Sequence, residues 1–183
     1  MNWKRIHSWF ALAIVFGFFA GSIRAEGPGP DKQLNDPLLE KLIGDWKVDR
    51  TFQSGRKSSN TVHAEWVLQH HFVELHYRDI ATPPHYEAII LIGYDSTAKR
   101  YIAHWSDVFG GSYSTDGFAQ RDEKSDALEF SFTFHDGPLT NRYAFDPQSN
   151  TWTSTIRQSE NGEWKLFCED KFTRVDAKEV PHQ

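Results

Sequence analysis

One cysteine, Cys168, stands in a chain of 183 residues, so no disulfide can form within it and its stability must come from burial. No Asn-x-Ser/Thr sequon occurs, which favours a bacterial exported protein over a glycosylated one. There is no internal repeat of solenoid period, and no low-complexity stretch beyond Glu26-Gly27-Pro28-Gly29-Pro30. No Gly-rich loop opens a helix and no Ser sits in a Gly-x-Ser-x-Gly setting, which removes the usual phosphate cradle and nucleophile elbow. The long charge-free run, Ser8 to Ile23, is shorter than the ~20 residues that cross a bilayer.

That run follows the basic start Met1-Asn2-Trp3-Lys4-Arg5 and leads to the small residues Gly21, Ser22 and Ala25. Residues 1–25 are therefore expected to be a secretory signal peptide, with 26–35 a flexible leader and export to the periplasm or medium. No Cys follows the apolar run, which argues against a lipid anchor. Loss of Lys4, Arg5 and Arg24 leaves 17 basic against 25 acidic residues, a net charge of −8 on 158 residues. Such a chain has no electrostatic footprint for nucleic acid or an anionic membrane.

What is abundant is aromatic: 7 Trp, 6 Tyr and 14 Phe give one domain of this size ample core material. One short helix is expected at Asp36-Pro37-Leu38-Leu39-Glu40-Lys41-Leu42-Ile43, with Asp36 as cap, Pro37 at the first turn and Gly44 as stop. From Trp46 the period becomes two. Trp46, Val48, Arg50 and Phe52 alternate with Lys47, Asp49 and Thr51, and Leu128, Phe130, Phe132 and Phe134 share one face. Tyr86 to Tyr94 is apolar on both faces, as in a strand covered on two sides. About ten strands with turn residues between them predict an all-β, up-and-down antiparallel barrel over 36–176, followed by a polar tail at 177–183. Closure removes the sheet edges that would otherwise invite aggregation.

The segment Leu42-Ile43-Gly44-Asp45-Trp46-Lys47-Val48 resembles the lipocalin-like bacterial proteins of a domain-of-unknown-function family within the calycin-type barrels. Ile92-Gly93-Tyr94-Asp95, Arg100-Tyr101, Asp107, Gly110-Gly111-Ser112, Asp116-Gly117 and Phe172-Thr173-Arg174 carry the likeness through residues 38–175. The resemblance implies that Trp46 packs across the closed end with Arg174 over it, a cation–π pair joining the first strand to the last. A second, more distant resemblance is to the heme-binding nitrobindins, which bind iron through a late His. Here the last two strands hold no His, and His135 would have to serve from an earlier strand.

Eight His remain after the signal. His70, Glu74 and His76 share a parity, with His104 a third ligand from another strand, but ligands two apart on one strand stand about 6–7 Å from each other, so no metal centre is expected. His104 alternates with Ile102 and Ser106, while Tyr101, Ala103, Trp105 and Asp107 take the opposite face. Whichever face points inward, one of His104 and Asp107 stands beside aromatic neighbours, to orient a ligand or to satisfy a buried network. Cys168 alternates with Leu166 and Asp170 and is expected to pack as a small hydrophobe.

The expected function is binding of a small, largely apolar molecule in the barrel interior, with His76, His104, Trp105, Asp107, Trp66 and Phe132 as candidate ligand-binding residues. No catalytic residue and no cofactor are assigned, with heme the alternative cofactor. The competing class is an interaction module whose interior is filled by its own side chains, Trp66, Phe130, Phe132, Phe134 and Trp152 among them. Core volume separates the two.

Overall fold

The computed structural model describes residues 32–121 and 124–175. The signal-peptide expectation for 1–25 and the polar tail at 177–183 lie outside these residues. One short helix, α1 (Pro37–Glu40), precedes ten strands: β1 (Gly44–Phe52), β2 (Lys57–Val67), β3 (Phe72–Asp79), β4 (Glu87–Asp95), β5 (Arg100–Asp107), β6 (Thr115–Ala119), β7 (Ala127–Phe134), β8 (Gly137–Asp146), β9 (Thr151–Glu160) and β10 (Glu163–Arg174). Each strand pairs antiparallel with its chain neighbours, and β1 pairs with β10 to close an up-and-down barrel.

Alternation places one residue of every two inside. In β1 that set is Trp46, Val48, Arg50 and, at the edge, Phe52; in β7 it is Leu128, Phe130, Phe132 and Phe134. The half of the barrel nearest α1 is filled. Trp46, Trp152, Phe130 and Phe172 are all but inaccessible there, together with Leu38, Leu39 and Leu42 from the helix and the turn after it. Trp46 meets Phe172 edge-on at 6.3 Å, and Phe172 meets Tyr143 at 6.4 Å.

Asp36 fixes the helix that covers this end. Its Oδ1 accepts from the Leu38 N–H at 2.7 Å and from the Leu39 N–H at 3.3 Å, giving the N-cap. The same carboxylate accepts Arg121 Nη1 at 2.7 Å and the Tyr101 hydroxyl. Burial opposes its ionisation, but the donors from Tyr101, Leu38 and Arg121 outweigh that and hold the carboxyl below its ordinary 3.8. Glu40 accepts the Trp66 indole N–H at 2.8 Å, so the helix is tied to β2 as well. Just before it, the Leu34 N–H donates to the His70 carbonyl at 3.0 Å.

Trp46 and Arg174 stand opposite each other in the β1–β10 register. The guanidinium lies 4.2 Å from the indole centroid and donates to the carbonyls of Ile43 at 2.9 Å and Lys41 at 3.0 Å. Gly44 leaves room for this contact. Its φ is 123°, and an added Cβ would meet Arg174 Nη1 at 2.5 Å.

Two expectations are corrected. The double-sided apolar character of β4 does not mark a strand covered on both faces: Ile89 is exposed and Leu91 half-buried on the outer wall, because the meander supplies no second layer. Leu166 does not share the inward face of Cys168. A bulge between them leaves Phe167 without a partner in the register, and the parity of β10 reverses there, so Leu166 points outward while Cys168 is fully buried.

Gly44→Ala is expected to destabilise the barrel by about 2 kcal/mol, through both φ strain and displacement of the guanidinium, and Arg174→Ala by about 1–2 kcal/mol. Urea unfolding followed by Trp fluorescence measures both. Asp36→Ala is expected to cost about 3 kcal/mol at pH 7. Because the folded pKa of Asp36 is depressed, its contribution is complete above pH ~4 and is lost as pH falls through the folded value. The urea midpoint of Asp36→Ala should therefore shift less between pH 7 and pH 3 than that of the wild type.

Candidate functional site: a half-hollow barrel

The half of the barrel away from α1 is not filled. A cavity of about 730 Å³ opens at that end, among the β1–β2, β3–β4, β5–β6 and β7–β8 turns and the start of β10. Its upper wall is a run of aromatic contacts. Tyr86 faces Phe109 at 6.2 Å, Phe109 faces Tyr113 at 5.8 Å, and Tyr113 faces Phe134 at 6.3 Å. On the opposite side Phe52 and the bulged Phe167 meet edge-on at 5.8 Å. The bulge therefore aims into the cavity mouth a ring that regular alternation would have sent elsewhere.

The base of the cavity is polar. Arg50 and Asp170, opposite each other in the β1–β10 register, form a two-pronged ion pair with Nε to Oδ1 at 2.6 Å and Nη2 to Oδ2 at 2.7 Å. Arg50 is 8% exposed and Asp170 is fully buried. Burial works against the guanidinium's charge, but the Asp170 carboxylate more than restores it, so Arg50 is held firmly protonated. Below it the Tyr77 and Tyr143 hydroxyls meet at 3.2 Å, and Ser154 donates to Asn141 at 2.8 Å. Burial drives both phenols upward, Tyr143 to about 12, so they stay neutral donors and acceptors. The Asn60 amide nitrogen, also buried here, has no hydrogen-bond partner among the described residues. A polar layer thus separates the packed floor from the hollow mouth.

Two of the six candidate ligand-binding residues line this cavity, Trp105 and Asp107. Asp107 accepts the Trp105 indole N–H at 3.2 Å and the Phe109 N–H at 3.0 Å, so it shapes the rim turn. Phe132 lies under Trp105, edge-on at 5.7 Å, with its ring pressed onto Gly117 where an added Cβ would lie 2.4 Å away. Trp66 is at the α1 end, bonded to Glu40 and stacked on His70 at 3.9 Å. His76 and His104 stand on the outer wall. His76 pairs with Glu87 at 2.6 Å, and His104 with Asp116 at 2.5 Å. Tyr101, Ala103, Trp105 and Asp107 form the inward face of β5, which leaves His104 outside.

His70 belongs to the β2–β3 turn with φ 69°, so it does not share a strand face with Glu74 and His76. Among the described residues no group of three or more His, Cys, Asp or Glu converges to hold a metal ion. Among the described residues the one His on the cavity lining is rim residue His85, whose side chain is 80% exposed and 3.4 Å from Asp79. Cys168 is buried behind the cavity wall, where burial pushes its thiol up to about 12, the reverse of an activated nucleophile.

The residues of the cavity base that the sequence reading did not single out are Arg50, Asp170 and Asn60. Their signal was present: Arg50 interrupts the face of Trp46, Val48 and Phe52, Asp170 that of Cys168 and Phe172, and Asn60 that of Val62 and Ala64. A charge at an inward position of a barrel strand requires a partner, and the register supplies it.

The family described as a protein of unknown function, DUF1579, matches residues 32–174. The chain belongs to that family. No curated protein matches it. Among solved structures it is similar to a redesigned β-barrel, with 11% identity, a TM-score of 0.38, and coverage of 79% of this chain and 100% of that one.

The Cys168 thiol should react with a disulfide reagent at pH 8 at least a hundredfold more slowly in the folded protein than in urea. Stopped-flow or manual thiol titration measures the ratio; equal rates would mean an accessible, activated sulfur.

Proposed function

We propose that this protein is an exported, calycin-type barrel that binds a small, largely apolar molecule in its open half. The reading is carried by one observation, the roughly 730 Å³ cavity, which falls in the range of pockets that enclose small molecules. An interaction module with a filled interior has no use for such a space. The aromatic collar supplies apolar area, and the polar layer beneath it supplies orientation. Export rests on the basic start and charge-free run of residues 1–25. The net charge of −8 without that segment argues against nucleic acid and anionic lipid as partners. Among the described residues, a heme reading finds one cavity-lining imidazole, His85, at the rim and turned largely to solvent.

Native mass spectrometry of protein purified from its own host compartment should reveal a co-purifying small molecule. In vitro, the neutral apolar fluorophore N-phenyl-1-naphthylamine should bind one-to-one. Leu139, half-buried on the inward face of β8, lines the cavity. Leu139→Trp should fill the space and weaken that binding at least tenfold, with Tm changed by no more than a few degrees. Unchanged affinity in this variant would remove the barrel interior as the binding site.

A further inference from the structure

The cavity base is more selective than an apolar pocket needs. Arg50 uses Nε and Nη2 on Asp170, so the two N–H donors of its Nη1 are not taken up by that ion pair, and the buried Asn60 amide nitrogen beside it on the cavity lining has no hydrogen-bond partner among the described residues. Arg50 and Asn60 both line the cavity and are more than nine-tenths buried, so the hollow half has hydrogen-bond donors at its base. A guanidinium donor in such a place favours a ligand atom that accepts a hydrogen bond.

Charge decides which kind of acceptor. Asp170 already neutralises Arg50, and it does so fully buried. A ligand carboxylate at Nη1 would set a second anion against the same cation in a desolvated site, which costs more than it returns. The lining offers no compensating excess: Arg56 and Lys57 are set against Asp79, Asp107 and Asp136. Nothing there draws in an anion. Above the base, the wall built by Tyr86, Phe109, Tyr113 and Phe134 presents ring faces and edges suited to a flat body.

Resting on the binding function proposed above, we infer that the ligand is a neutral, planar molecule whose leading end carries a carbonyl-type acceptor, received by Arg50 Nη1. Asp170 is then a positioning residue. It orients the guanidinium edge that the ligand meets and cancels the charge that would otherwise select an acid.

Three naphthalene fluorophores test this on the full mature chain: Prodan, a neutral ketone; N-phenyl-1-naphthylamine, neutral with no carbonyl; and anilinonaphthalene sulfonate, an anion. Wild type should bind Prodan most tightly and the sulfonate at least tenfold more weakly. The double variant Arg50→Met/Asp170→Leu removes both charges together and leaves no orphaned ion, so it is expected to fold. In it the preference for Prodan over N-phenyl-1-naphthylamine should fall about tenfold, the worth of one charge-assisted hydrogen bond. Bound Prodan emission should also move to the blue as its carbonyl loses a donor. Arg50→Lys, which keeps the charge and loses the fork, should show the same fall in preference if the double variant does not fold. Tighter binding of the sulfonate, or an unmoved preference and emission in a folded variant, overturns the inference while leaving a binding barrel in place. Failure of wild type to bind any of the three overturns both.

Discussion

Everything in this barrel depends on the pairing of its first strand with its last. Without β1 against β10 the ten strands form an open, curled sheet with two bare edges, and no interior exists to be packed or hollow. The sequence invests in that junction at two levels. Near the floor Arg174 lies over Trp46, and midway up the wall Arg50 grips Asp170. Both are directly opposed pairs in the same register, so a slip of one residue between β1 and β10 would break the two together. The second pair does more than staple: it is also the polar base of the cavity. Closure of the ring and the base of the cavity therefore share a set of atoms.

The barrel divides along its axis into a packed part and a hollow part. Toward α1, large rings and the three leucines fill the bore, and Asp36 ties the helix to Tyr101 and Arg121. Toward the mouth, the lining residues come from strand ends and turns, the places where a fold tolerates variation best. The buried polar layer lies between. Its cost in desolvation is met by pairing its members, the Asn60 amide nitrogen being the exception among the described residues.

The strand pattern was legible because inside and outside differ so plainly in composition. The alternations of Trp46-Val48 and of Leu128-Phe130-Phe132-Phe134 can be read without any structure, and so can the Asp36-Pro37 helix start. What resisted reading were features that depend on which strand lies beside which. On β5, parity separated His104 from Asp107 but could not orient the pair, because both faces carry polar groups. Arg50 looked like a stray charge on an apolar face until register set Asp170 opposite it. The bulge at Phe167 was invisible for a different reason. Parity arguments assume an unbroken period of two, and a single extra residue silently exchanges the faces of Leu166 and Phe167. The outer apolar residues of β4, Ile89 and Leu91, misled in the opposite direction, since apolarity on both faces describes composition and does not prove cover.

The ring also has a thin link. β6 is five residues long and meets β7 at two register positions, whereas β7 meets β8 at eight and β1 meets β10 at seven. A closed ring yields where it is least bonded, and here that place lies in the middle of the chain, well away from its ends. Partial opening would therefore unzip β6 from β7 while the terminal strands stay clasped, turning the cylinder into an arc with its two ends still joined. Amide protons along that joint would exchange with solvent before those of β1 and β10, inverting the usual order in which chain termini fray first.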